Sequence, residues 1–109
     1  MPNVELKDPR KVTTVSLPSF PESKVELYES VLFSEMRQLE KVQNDSERGL
    51  LTLEFMIKDW NFTDEKGEKI EVNEENLGKL PIQDLTMLLE KVGEFFEKIT
   101  KKKEKPSKS

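Results

Sequence analysis

The residues best suited to chemistry are carboxylates gathered around and after the only tryptophan: Asp59, Asp64, Glu65, Glu68, Glu71, Glu74 and Glu75. Two such groups can work as general acid and base when burial raises the pKa of one and the other stays ionised. These fall instead in turn-forming and helix-starting sequence, where solvation and capping account for acidic side chains. The span Asp64 to Glu75 has the length of a calcium loop without its ligands. An EF-hand needs oxygen donors at positions 1, 3 and 5, glycine at 6 and glutamate at 12, because those oxygens must converge on one ion. Counting from Asp64 puts Lys66 at position 3 and Lys69 at position 6, and placing Gly67 at position 6 puts Phe62 at position 1. A solvated turn is the better reading.

The chain holds no histidine and no cysteine. That removes the usual zinc ligands, the usual base near neutral pH and the Ser/His and Cys/His nucleophile systems. It also removes any disulfide framework. Carboxylate and lysine chemistry stays open, but nothing resembles a pocket signature. The expectation is a protein with no catalytic residues, no metal and no cofactor.

What remains is binding, and composition bounds it. The 109 residues suffice for one small domain. Hydrophobic residues make up 34% and charged residues 37%, so the core should be thin. A homo-oligomer or a partner would then supply further burial. Net charge is −4, unevenly spread: residues 100–109 carry five lysines and one glutamate, leaving the first 99 residues at −8. An acidic body argues against a nucleic-acid surface. No apolar run reaches membrane-spanning length, and the N-terminus lacks the pattern of a signal peptide. A soluble intracellular protein is expected.

The positioning elements follow from periodicity. Residues 1–11 read as a flexible lead-in, residues 12–99 as one globular domain and residues 100–109 as a disordered basic tail. Val12–Leu17 is β-branched and reads as a strand. Lys24–Glu29 alternates strictly, with Val25 and Leu27 on one face. A proline-punctuated loop, residues 18–23, joins the two and is longer than a tight hairpin turn. Ser34 reads as the N-cap of a short helix through Met36 and Leu39, and Asn44-Asp45-Ser46 as the cap of the next, with Gly49 inside it. Leu50, Leu53, Ile57 and Trp60, at i, i+3, i+7 and i+10, read as one helix face; alternation of Leu51, Leu53 and Phe55 is the competing strand reading. Trp60–Phe62 and Glu68–Val72 flank turn sequence and read as a short hairpin, with Gly67 free to take positive φ. Asn73 caps a single turn, Glu74–Leu77, that Gly78 can end. Pro81 opens a final helix in which Leu85, Leu88, Val92, Phe95 and Ile99 form the strongest stripe of the chain. The fold class is α+β: an N-terminal strand pair, three main helices and the hairpin after Trp60.

The candidate partner contacts are Phe20, Leu53, Ile57, Trp60, Phe62, Leu88, Val92 and Phe95. Phe20 sits between two prolines on a loop, the best candidate for an exposed apolar contact and equally placed to tuck under the domain. Trp60 and Phe62 pair the aromatics that anchor interfaces, although Trp60 lies on the apolar stripe and reads first as core. The Leu85–Ile99 stripe is likewise core first and partner surface second. The lysine tail reads as a solubilising end.

These segments, in this order, resemble a family. Leu17-Pro18-Ser19, Lys24-Val25-Glu26-Leu27-Tyr28, then Trp60-Asn61-Phe62-Thr63-Asp64-Glu65-Lys66-Gly67-Glu68, Asn76-Leu77 and Leu80-Pro81-Ile82-Gln83-Asp84-Leu85 look like the tail assembly chaperones of long-tailed, siphovirus-like bacteriophages and prophages. The resemblance runs from Val12 to Phe96 and is most specific from Trp60 to Leu85. It implies a non-enzymatic protein of the bacterial host cytoplasm that binds the helical tape measure protein, helps recruit tail tube protein and is absent from the mature virion. It also implies a longer frameshifted form, for which the Lys101-Lys102-Lys103 run would suit an A-rich slippery site. An apolar groove between the Leu50–Trp60 and Leu85–Ile99 helices would hold an amphipathic partner segment. Two alternatives are a minor structural component of the tail or head–tail joint, and a small regulatory protein that docks its basic tail on nucleic acid.

Overall fold

The computed structural model describes residues 3–103. Among them the chain forms an α+β fold in which helices pack on one face of a three-stranded antiparallel sheet of order β1-β2-β3. β1 (Val12–Leu17) and β2 (Phe20–Tyr28) form the expected pair, with Val15 opposite Val25 and Thr13 opposite Leu27. Their connection differs from the expected loop, because Pro18-Ser19 is a two-residue turn with Leu17 opposite Phe20. The irregularity has moved into β2, where Pro21 to Lys24 stand opposite Ser16 alone. A bulge is where a strand tolerates proline, since no ladder N–H is needed there. Ser23 holds it in place: its carbonyl accepts from Ser16 Oγ at 2.9 Å, and its Oγ accepts from the Leu17 N–H at 2.8 Å.

α1 (Phe33–Glu40) begins one residue before the expected cap at Ser34. Leu32 takes the N-cap position, and its N–H donates to Glu35 Oε1 at 3.1 Å. α2 (Asp45–Met56) starts as expected, with Asn44 Oδ1 accepting from the Glu47 N–H at 3.0 Å. It ends earlier than expected. Ile57 to Trp60 leave the helix and form β3 (Ile57–Trp60), antiparallel to β2. Residues three apart on a regular strand face opposite sides. Here Leu27 pairs with Ile57 while Glu26 pairs with Asp59, which leaves Lys58 as an extra residue. That bulge restores the phase, so Ile57 and Trp60 both point into the core. The same three-residue interval fits one helix face, which is why the sequence reads as continuous helix.

The hairpin after Trp60 shrinks to one bridge, Thr63 opposite Lys69. Its turn is well tied: Asp64 Oδ1 accepts from the N–H groups of Lys66 and Glu68 at 2.8 and 3.0 Å. Gly67 closes it at φ 82°, a conformation other residues adopt at a cost. α3 (Glu74–Leu77) is capped by Asn73, as read from sequence. α4 (Ile82–Lys103) follows Pro81 and continues past Ile99 into the lysine run. The rest of the expected tail, residues 104–109, lies outside the described residues.

The core joins the inner sheet face (Leu17, Val25, Leu27, Ile57, Trp60) to Leu53 and Met56 of α2, Leu77 of α3 and Leu88, Val92 and Phe95 of α4. Two polar anchors bind distant segments to this frame. Asp84, in the first turn of α4, is fully buried, and its Oδ1 accepts from the Ser19 N–H at 3.0 Å, pinning the β1–β2 turn to the helix start. The second anchor is Arg10, within the expected flexible lead-in. Its side chain is 8% exposed, lies 3.6 Å over the Tyr28 ring, and donates to Ser30 O, Glu35 and Asp8. The segment is therefore fastened from Asp8 onward.

Hydrogen bonds from Arg10 hold the Asp8 carboxyl down to about 2, from the ordinary 3.8. A depressed carboxylate pKa stabilises the fold fully above its unfolded value and loses that stabilisation as pH falls toward the folded one. A carbon NMR titration of the Asp8 carboxyl should show a midpoint near 2 in the folded protein. In Arg10→Gln that midpoint should rise toward 3.8.

Candidate functional site

Three of the carboxylates that head the chemical candidates, Asp59, Asp64 and Glu71, are occupied locally. Asp59 pairs with Lys69, whose hydrogen bond holds its carboxyl below the usual range. Asp64 caps its own turn, and Glu71 accepts from Asn73 Nδ2 at 3.3 Å. The depression lined by Asp59, Lys69, Lys24, Glu26 and Trp60 thus carries the Asp59–Lys69 ion pair. Among the described residues no group of three or more His, Cys, Asp or Glu is placed to hold a metal ion.

A largely apolar concavity lies between α2 and α4. On α2, Ser46, Gly49, Leu50 and Leu53 recur at i, i+3, i+4 and i+7, and on α4 Ile82, Leu85, Thr86 and Leu89 repeat the same interval. Gly78, after α3, closes one end of a cavity of about 240 Å³. Leu53 forms its floor, fully buried. Ile82 is 73% exposed and Leu89 40% exposed, so two large apolar side chains meet water at its mouth.

Gly49 sets its depth. A Cβ there would sit 3.6 Å from Leu89 Cδ2, in ordinary van der Waals contact. The helix therefore has room for alanine, and glycine costs about 1 kcal/mol by comparison. What glycine supplies is space beside Leu89. Helix geometry puts Glu47 and Glu54 of α2 and Glu90 of α4 on the solvent side of these stripes, beside the lining residues. None of the three forms an ion pair among the described residues. The site is an apolar trough with these three carboxylates on the solvent side of its helices.

The contacts expected from sequence divide differently. Ile57, Trp60, Leu88, Val92 and Phe95 are buried core, closed to a partner in this fold. Leu53 reaches the groove only as its floor. Phe20 is 38% exposed, and its ring meets Phe62 edge-on at 5.1 Å. Phe62 in turn meets Trp60 at 5.2 Å, making an aromatic run from surface to core. Phe20 and Phe62 also line a second depression with Ser19, Pro21, Glu22, Ser23, Asn61 and Thr63. It is more polar than the α2–α4 groove and its wall is braced, since Asn61 Oδ1 accepts from the Lys24 N–H at 2.8 Å.

Gly49, Ile82 and Leu89 are not among the contacts expected from sequence. The signal was present: Ile82 and Leu89 lie seven residues apart on α4, off the Leu88–Val92–Phe95 stripe. Comparison with known protein families, curated proteins and solved structures finds no match.

Proposed function

We propose that this chain is a tail assembly chaperone of a long-tailed bacteriophage or prophage, acting in the host cytoplasm by protein–protein contact without catalysis. The observation that carries the reading is the α2–α4 groove, with exposed Ile82 and Leu89 at its mouth and, beside its stripes, Glu47, Glu54 and Glu90, which form no ion pair among the described residues. An apolar trough between helices suits an amphipathic helix laid along it. Those carboxylates suit lysine and arginine at the edges of that helix's apolar stripe. The occupant is a basic-edged amphipathic segment of the tape measure protein, kept from self-association until tail tube subunits enclose it. The resemblance of the Trp60–Leu85 region to the family supports the same reading.

Co-expression tests it. The tape measure protein expressed with this chain should move from the insoluble to the soluble fraction and co-purify with it. Unchanged solubility would remove the chaperone reading. Finding the chain as a fixed component of purified virions would replace it with a structural role.

A further inference from the structure

The sheet has two edges, and they are built differently. β3 is short, carries Lys58 and Asp59, is interrupted by the Lys58 bulge, and has the Lys69–Val72 segment beside it. Short length, charge and bulges are the devices that keep an edge strand from pairing with another chain. β1 has none of them along Val12–Val15. Among the described residues it pairs only with β2, its six residues include no charge and no proline, and its register is regular over that stretch.

The ladder shows which backbone groups are free. Glu29 N–H donates to Lys11 O at 2.9 Å, so Lys11 and Glu29 are a hydrogen-bonded pair. Bonded and non-bonded pairs alternate in an antiparallel ladder. Thr13–Leu27 and Val15–Val25 are then bonded, and Val12 and Thr14 direct their N–H and C=O groups away from β2. Both side chains are exposed, Val12 at 37%.

We infer that β1 pairs antiparallel with β1 of a second copy across a twofold axis at Thr14, joining two three-stranded sheets into one of six strands. The occupant follows from the chemistry of the strand. A twofold axis at Thr14 sets Thr14 opposite Thr14 and Val12 opposite Ser16, so no charge meets its like although 37% of the chain is charged. The outward-facing backbone groups of one copy match those of the other, and both inner faces stay on the same side. This inference is independent of the groove, which lies between two helices.

The absence of cysteine makes the register testable with one introduced thiol. Residues in a hydrogen-bonded antiparallel pair have Cα atoms about 5.5 Å apart, within disulfide reach. Thr14→Cys should therefore form a disulfide dimer under mild oxidation. Val12→Cys should not, because the two copies of that residue would lie about 13 Å apart along the strand. In sedimentation equilibrium the unmodified chain should show a concentration-dependent dimer. Thr14→Lys, a solvent-facing change that sets like charges opposite each other, should weaken it roughly tenfold or more while leaving the circular dichroism spectrum unchanged. A monomer at millimolar concentration would overturn the inference. So would equal crosslinking of the two cysteine variants, or an undiminished dimer in Thr14→Lys.

Discussion

Replacing Trp60 with alanine should destabilise the fold by about 3–5 kcal/mol, the range for deleting a buried large aromatic. The side chain is 3% exposed and sits where β3 meets α2 and the turn that follows. Its Nε1–H donates to Ile70 O at 2.9 Å, and its ring meets Phe62 edge-on. Alanine loses the burial, leaves a cavity, removes the donor for Ile70 and frees Phe62, on which Phe20 rests. A domain of this size holds about 5–15 kcal/mol in total. The variant should therefore melt roughly 15 °C or more below the parent, or be largely unfolded at 37 °C. Urea melts followed by far-ultraviolet circular dichroism measure this without the lost fluorophore. Trp60→Phe should cost less, because it keeps most of the volume and loses mainly the hydrogen bond. Equal losses in the two variants would mean that the indole N–H, and not packing, holds this junction.

Changing the groove mouth should have the opposite profile, with binding lost and the fold kept. Ile82→Gln combined with Leu89→Lys removes two exposed apolar side chains from α4. Both replacements are good helix formers, and neither position lies in the buried core, so the melting temperature should stay within a few degrees. Burying a fully exposed side chain of this size is worth about 1.5–3 kcal/mol, and Ile82 at 73% exposed has more of that to gain from a partner than Leu89 at 40%. Lysine at position 89 also brings a positive charge against a basic-edged helix. For the tape measure segment proposed above, these predict a loss of affinity of roughly a hundredfold or more. Trp60→Ala loses function through the fold, whereas this pair loses it through the surface, and melting curves separate the two.

Much of the frame was legible in the sequence because local rules agree with the tertiary answer. The Val25/Leu27 alternation, the Asn44 and Asn73 caps and the α4 stripe each need only neighbours in sequence. Three features were hidden for physical reasons. The interval from Ile57 to Trp60 fits a helix face and a bulged strand equally, and only the pairing of Ile57 with Leu27 decides between them. The tight Pro18-Ser19 turn depends on a bulge held by Ser23, whose role needs the strands already paired. Asp84 meets Ser19 across 65 residues, and Arg10 meets Glu35 across 25, so neither anchor leaves a local signature.

The candidate site was less legible than the frame. The strongest apolar positions read first as core and second as partner surface, and a chain with a thin core keeps them inside. Leu88, Val92 and Phe95 face the sheet, leaving Ile82 and Leu89, one helical step away, to face solvent. The groove between α2 and α4 was expected, but with its lower wall formed by a helix running to Trp60. The turn into β3 after Met56 instead leaves the wall to Ser46, Gly49, Leu50 and Leu53. Two of these residues are small, and that is what opens the trough.

Whether a partner helix occupies that trough can be read residue by residue in an NMR titration. Nitrogen-labelled protein is titrated with synthetic amphipathic segments of the tape measure protein, alongside the Ile82→Gln, Leu89→Lys variant. Shifts should concentrate at Ser46, Gly49, Leu50, Ile82, Leu85, Thr86 and Leu89, weaken with added salt, and vanish in the variant. Shifts centred on Phe20 and Phe62, or binding that the variant retains, would contradict the groove as the partner site.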